Sequence, residues 1–235
     1  MVPTYPMGLS RRCATSRDLT RRRLDVPWPG GDSRGMPNVV VLPLTELPAD
    51  RRAEVARVFA AAYATDLATI SRDTERWAAA LAPAFVADVC FVALDGDAVV
   101  GVAACSHGTT RALRLDPRAL RRHLGVVRGT FASLAMGRTF HHRLPYPAST
   151  GYVECVATDP AARGRGVATT LMDHLHALPY DDFVLEVTDT NERARALYTR
   201  LGYTEHHRRR SRLPWLTGYR EALYLTRAGN GARAA

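Results

Sequence analysis

The sequence predicts an α/β domain with a mixed sheet, from three observations. Short apolar runs rich in β-branched residues alternate with segments of helical period. Asp95-Gly96-Asp97 between two such runs is a hairpin signal. The stretch from Tyr152 to Thr188 reads strand, glycine-rich turn, helix, strand, the layout of one βαβ unit. At 235 residues, with 46% hydrophobic and 23% charged residues, the chain is long enough for one well-cored domain plus a tail.

The elements follow in order. Residues 1–35 carry Pro, Gly, Ser and Arg without periodicity and end in Pro-Trp-Pro-Gly-Gly-Asp-Ser-Arg-Gly. They read as a disordered tail, or as sequence upstream of a true start at Met36; no apolar core of a secretory signal is present. Val39-Val40-Val41-Leu42 is a first strand, limited by Pro43. Pro48 to about Ala64 is helical, with Val55, Val58, Phe59 and Ala62 on one stripe, and Thr74 to Leu81 is a second helix ahead of Pro83. Cys90 to Leu94 and Val99 to Ala104 form the hairpin strands. In the 109–150 insertion, Pro117 to about Phe140 is an amphipathic helix with Leu120, Leu124, Val127, Phe131 and Leu134 in register. It serves either as a lid or partner surface, or as extra core cover. Tyr152 to Thr158 is a strand, Val167 to Leu178 a helix, and Phe183 to Thr188 a strand. A helix over 192–201 stops at Gly202, a loop with an Arg cluster covers 204–219, and Arg220 to Thr226 is a final strand. The expected order is β-α-α-β-β-(α)-β-α-β-α-β-β, in a domain spanning 36–228 with a flexible C-terminus over 229–235.

Composition excludes some functions. The net charge is +9, yet all 32 basic residues are Arg, with no Lys and no Gln, a skew that coding bias explains as well as selection for a polyanion. Residues 1–35 contribute +4 and Arg208, Arg209, Arg210 and Arg212 another +4. No basic face interleaved with aromatics marks a nucleic-acid partner. No apolar run is long enough to span a bilayer. Cys13, Cys90, Cys105 and Cys155 lack CxxC spacing and read as small hydrophobes in a reducing cytoplasm. The His141-His142 and His206-His207 pairs lack ligand companions, and His174 and His176 point apart on a helix, so no metal is expected.

Chemistry concentrates at Arg163-Gly164-Arg165-Gly166-Val167-Ala168. A glycine turn opening a helix aims backbone N–H groups and a helix dipole at one spot, which suits a phosphate. Gly164 and Gly166 allow positive φ and close approach, Arg163 and Arg165 add charge, and Ala168 keeps the first turn small. A P-loop is excluded because the chain has no Lys. A dinucleotide fingerprint lacks its third glycine, replaced by Thr169, although Glu186 lies at the distance of a ribose-binding acid.

Further residues cluster downstream: Leu185-Glu186-Val187, Asn191, Ala196-Leu197-Tyr198 and Leu201-Gly202-Tyr203. With Val156-Ala157-Thr158-Asp159-Pro160 and the glycine turn, they closely resemble the GCN5-related N-acetyltransferases (GNAT). The match is dense over 151–204, architectural over 39–108 and without a family role for 109–150. The run is most similar to the branch that acetylates N-termini of ribosomal proteins, and many small-molecule acetyltransferases share it.

The resemblance implies the acyl-CoA N-acyltransferase fold, with a helical insertion between strands 3 and 4. It implies that acetyl-CoA is the co-substrate. Its pyrophosphate would rest on the turn formed by Arg163, Gly164, Arg165, Gly166, Val167 and Ala168, and its arm would pair with Cys155, Val156 and Ala157. A backbone N–H of Val156 or Ala157 would polarise the thioester carbonyl. Asn191 would contact the arm, or simply cap a helix. Tyr198 would be the general acid for the departing thiolate, or a packed core ring. Glu186 and Glu154 are the two candidate bases, each of which could instead be salt-bridged to an Arg. Alternation places Glu154 on the face of Tyr152 and Val156. The expectation is direct acetyl transfer to a primary amine of a small molecule, protein N-terminus or lysine, in a cytoplasmic monomer or homodimer without nucleic-acid or membrane partners. A catalytically silent acyl-CoA-binding module and a nicotinamide-nucleotide enzyme are the rival readings.

Overall fold

The computed structural model describes residues 39–140, 143–211 and 218–231. Strands β1 (Val39–Pro43), β2 (Cys90–Asp95), β3 (Ala98–Ser106), β4 (Thr150–Thr158), β5 (Asp182–Thr188), β6 (Thr204–Arg210) and β7 (Glu221–Ala228) form one sheet in the order β1-β2-β3-β4-β5-β7-β6. All neighbours are antiparallel except β4 and β5, the pair joined through a helix. Three helices start on a side-chain cap, as local sequence favours. These are α3 (Thr74–Leu81) on Asp73, α4 (Pro117–Leu124) on Asp116 and α7 (Glu192–Arg200) on Asn191. α1 (Arg52–Ala62) and the short α2 (Ala64–Leu67) precede them. The insertion adds α5 (Val126–Phe140), and α6 (Val167–His176) crosses between β4 and β5.

Apolar residues divide between the two sheet faces. One core joins α1, α3 and α4, through Val55, Phe59, Trp77, Leu81 and Leu120, to Val92, Val102, Cys155 and Ala157. The other joins Val167, Leu171, Met172 and Leu175 of α6 to Phe91, Val153, Phe183, Leu185 and Leu223. Gly101 permits the α6 contact, because a Cβ there would lie 2.8 Å from Val167 and 2.9 Å from Leu171.

The expected alternation along β4 breaks at one residue. Ala104 faces Cys155 while Cys105 faces Val153, so Glu154 is an extra residue in a β-bulge. Glu154 therefore shares a face with Cys155 and Ala157, while Val156 packs toward the α6 core with Val153. Here β4 also leaves its parallel neighbour, the ladder with β5 ending at Val153↔Leu185. β5 continues against β7 as far as Thr188↔Ala222.

Two further expectations need correction. The insertion is two helices broken at Gly125 (φ +86, ψ 159), a conformation only glycine adopts readily. The break resets the helical phase, so Leu120 and Leu124 are buried while Val127, Phe131 and Leu134 face outward at 83%, 52% and 66% exposure. α5 presents smaller groups inward, Gly129 lying against the backbone of Leu120 and Arg121 and Ala132 fully buried. The first half of the expected 204–219 loop is strand β6, paired with β7 from Thr204↔Thr226 to Arg210↔Glu221. Its all-polar surface hid it from a hydrophobicity reading. The expected tail, residues 1–35, lies outside the described residues, as do His141, His142, Arg212 and residues 232–235. Within the expected flexible C-terminus, Gly229 N–H donates to Asp181 O at 2.7 Å and Gly231 N–H to Tyr180 O at 2.9 Å.

A Cβ at Gly129 would sit 2.5 Å from backbone atoms of Leu120 and Arg121. Gly129→Ala is therefore expected to cost about 1–3 kcal/mol, read as a lower urea midpoint with unchanged m. His176 is buried against Phe183 with its Nε2 2.9 Å from the Tyr203 hydroxyl. Burial, and secondarily Arg227, push its pKa down to about 4. The unfolded chain, with an imidazole pKa of about 6.5, binds that proton first. This contribution to stability is thus complete above pH 6.5 and lost as pH falls towards 4. The slope of stability against pH in that window should flatten in His176→Gln.

Candidate active site

Three structural features meet at the carboxyl ends of the parallel strands β4 and β5, where open α/β sheets bind ligands. The first is the turn into α6. Asp159 caps a one-turn 3-10 helix over Pro160–Ala162 by accepting from the Ala161 N–H at 2.8 Å. The chain then turns through Gly164 (φ +79) and Gly166 (φ +83). Gly166 is the N-cap of α6 and has no side chain to occupy the first-turn N–H groups of Val167 and Ala168. Those groups remain directed outward, with the positive end of the helix dipole behind them. Nothing lies within 4 Å of a Cβ position at Gly164, so the backbone there is open to approach. Arg165 reaches Asp95 of the β2–β3 turn at 2.7 Å, and Arg163 reaches the Ala62 carbonyl at the end of α1 at 3.4 Å. Both arginines thus tether the turn as well as charging it.

The second feature is the gap between β4 and β5 beyond Val153. One edge of β4 from Cys155 to Ala157 has no strand partner among the described residues, leaving backbone donors and acceptors for another occupant. The backbone N–H of Val156 points at the hydroxyl of Tyr63, at the C-terminus of α1. Tyr198 closes the other side. Its ring is buried and packs edge-on to Tyr203 at 5.7 Å, and burial with the nearby Cys155 pushes its pKa up to about 12. It is therefore protonated at neutral pH and available as a donor. Burial likewise raises the Cys155 thiol well above its ordinary range, so Cys155 is not a thiolate nucleophile.

The third feature is a pair of carboxylates at the mouth of the gap. Glu154 and Glu186 each follow the last residue of the β4–β5 ladder, Val153 and Leu185. Their surroundings differ sharply. Glu154 is buried in an ion pair with Arg111, side-chain exposures being 4% and 11%. Both the Nε (2.9 Å) and a terminal nitrogen of Arg111 donate to Glu154 Oε1. The other oxygen accepts from Ser106 Oγ and from the Ala112 N–H at 2.7 Å. Glu186 is half-buried, paired with Arg209 of β6 at 3.2 Å. It lies opposite Tyr224 of β7, whose phenol pKa is raised by burial first and by Glu186 second. Tyr152, stacked on Tyr146 with centroids 5.8 Å apart, extends the same aromatic surface.

Asn191 is a helix cap, its Oδ1 accepting from the Ala194 N–H at 3.1 Å. Its Nδ2 is not used in that bond. Four residues of the site were not singled out from the sequence: Tyr63, Arg111, Tyr152 and Tyr224. None sits in a motif: Tyr63, Arg111 and Tyr224 come to the gap from segments distant in sequence, and Tyr152 lies on β4 itself ahead of the bulge. Among the described residues there is no group of three or more His, Cys, Asp or Glu able to hold a metal ion, and no helix is long and apolar enough to cross a membrane.

Comparison with known proteins agrees with this geometry. The model of the acetyltransferase (GNAT) family matches residues 61–203, more than half of the chain. No curated protein matches it in sequence. Among solved structures, the chain is similar to an N-acetyltransferase from Staphylococcus aureus Mu50 (TM-score 0.51, 15% identity, covering 80% of this chain and 100% of that one). It is similar as well to a histone acetyltransferase HPA2 and related acetyltransferase from Corynebacterium glutamicum (TM-score 0.50, 22% identity, 83% and 97% covered). A ribosomal-protein-S18-alanine N-acetyltransferase from Escherichia coli gives a TM-score of 0.47 at 15% identity, with 81% and 93% covered. Identities this low speak for the fold and leave the acceptor open. With its parted parallel strands, its glycine turn into α6 and the family match over residues 61–203, the chain belongs to the GNAT acetyltransferase family.

Proposed function

We propose that the chain is an acetyl-CoA-dependent N-acetyltransferase that moves the acetyl group directly to a primary amine. The observation that carries this reading is the parting of β4 from β5 beside a helix N-terminus whose cap has no side chain. An extended arm ending in phosphates matches both at once: its amides pair with the free edge of Cys155 to Ala157, and its pyrophosphate meets the N–H groups of Arg163 to Ala168. The family match supports the same donor. The catalytic domain is taken to span 36–228, and the free, buried Cys90, Cys105 and Cys155 suit a reducing cytoplasm.

The Val156 N–H, released from the Tyr63 hydroxyl, donates to the thioester carbonyl oxygen as negative charge develops there. Tyr198 gives its proton to the departing thiolate. Glu186 takes the proton of the incoming ammonium through water, and Arg209 and Tyr224 hold its carboxylate in place. Glu154 keeps its donors and holds the bulge. Asn191 caps α7 and offers its Nδ2 to the cofactor arm. The raised pKa of the buried Cys155 thiol supports direct transfer.

Acetyl-CoA and CoA should raise the melting temperature in a thermal-shift screen; stabilisation by a nicotinamide nucleotide alone would overturn the reading. Tyr198→Phe is expected to lower kcat about 100-fold while CoA affinity is retained. A silent binding module would show no turnover to lose. The two carboxylates separate by readout. Glu186→Gln should cut kcat/KM about 100-fold, with little change in urea midpoint. Glu154→Gln strands the Arg111 charge and should cost about 3–5 kcal/mol of stability. An about 100-fold loss of kcat/KM in a folded Glu154→Gln, with Glu186→Gln unaffected, would transfer the base role.

A further inference from the structure

A cavity of about 490 Å³ lies beside the site, on the insertion side of the sheet, and the function proposed above does not use it. Its volume falls in the range of small-ligand pockets. Three arginines line it, Arg111, Arg114 and Arg143, with the hydroxyl-bearing Thr109 and Thr110 and the apolar Val86, Leu113 and Phe140. No acidic residue is part of the lining among the described residues. Arg111 is fixed in place: Glu154 binds one edge of its guanidinium, and its central carbon lies 6.0 Å from the centroid of the Phe140 ring. Arg114 and Arg143 are exposed at the rim, and neither has an acidic partner among the described residues.

The prominent Arg run on β6 is matched, Arg208 by Glu205 and Glu221, Arg209 by Glu186 and Arg210 by Glu221. At the cavity, Glu154 offsets only Arg111. Two uncompensated guanidinium groups therefore face a concavity with an apolar wall. Guanidinium forks and threonine hydroxyls in that arrangement suit a carboxylate or phosphate. The cavity also adjoins the reaction site, because Arg111 is bonded to Glu154, the residue directly before Cys155 and Val156 where the gap opens.

We propose that this cavity is the acceptor's anion-binding subsite, so that the amine acetylated by this enzyme is a small molecule carrying a carboxylate or phosphate. The anionic group sits between Arg114 and Arg143 on the Thr109–Thr110 turn, and the apolar wall of Val86, Leu113 and Phe140 covers the carbon stem that leads to the amine. The proposal rests on the N-acetyltransferase reading, and its test has a binding arm that does not.

With acetyl-CoA as donor, 6-aminohexanoate and 6-aminohexyl phosphate are compared with hexylamine. The expected result is a kcat/KM at least about tenfold higher for one or both anionic amines, and the better of the two identifies the anion. In Arg114→Ala/Arg143→Ala that preference should collapse through KM, with stabilisation by CoA retained as the control for folding. In the second arm, 6-acetamidohexanoate and inorganic phosphate are titrated calorimetrically into the full chain and the double variant without donor. Anion binding that the variant loses supports the subsite even if no amine is acetylated, in which case the transferase reading alone fails. Turnover with hexylamine equal to or better than both anionic amines, or anion binding unchanged in the double variant, overturns the proposal.

Discussion

The parting of β4 from β5 after Val153 is the constraint on which the rest of this structure depends. Two parallel strands in a sheet ordinarily satisfy each other's backbone groups along their whole length. Here the bulge at Glu154 bends β4 out of the ladder, and the freed edge needs another partner. The distortion is held by the buried Glu154–Arg111 pair, whose carboxylate also takes donors from Ser106 on β3 and from the Ala112 backbone. A charge taken out of water is tolerated only when its hydrogen bonds are complete, and Glu154 meets that condition. The same pair thus fixes the gap and orients Arg111 towards the neighbouring cavity.

Around the gap the two sides have different chemistry. On one side α6 supplies dipole and N–H groups, and the glycines at 164 and 166 keep the backbone accessible. Gly101 lets α6 sit close enough to the sheet to aim at the end of β4. On the other side lie Tyr152, Glu186 and Tyr224, on residues of β4, β5 and β7 that alternate with the buried ones. Tyr63 and Tyr198 meet the gap from α1 and α7, both kept as neutral phenols by burial.

Local patterns in the sequence were legible wherever the structure is local. The helix at Thr74–Leu81, the Asp95-Gly96-Asp97 hairpin and the glycine turn into α6 fall where they were expected, because caps, turn residues and short-range periodicity determine them. The reading failed where phase or partner decides. The stripe from Leu120 to Leu134 looked continuous, yet Gly125 rotates the second helix so that Val127, Phe131 and Leu134 face away. β6 carries no apolar alternation and is a strand because β7 pairs with it. The bulge at Glu154 leaves no sequence signature, since nothing in a strand marks where its neighbour departs.

By itself the sequence determined the family, the glycine turn into α6 and the candidacies of Asn191, Tyr198, Glu186 and Glu154, because each rests on residue type and spacing along a short segment. Only the tertiary structure separated the two glutamates, by enclosing one with Ser106, Arg111 and Ala112 and leaving the other beside Arg209 and Tyr224. It also brought Tyr63 to Val156 and set Arg114 and Arg143 around a common cavity. Those relations join residues far apart in the chain, and spacing along a chain carries no information about them until packing brings them together.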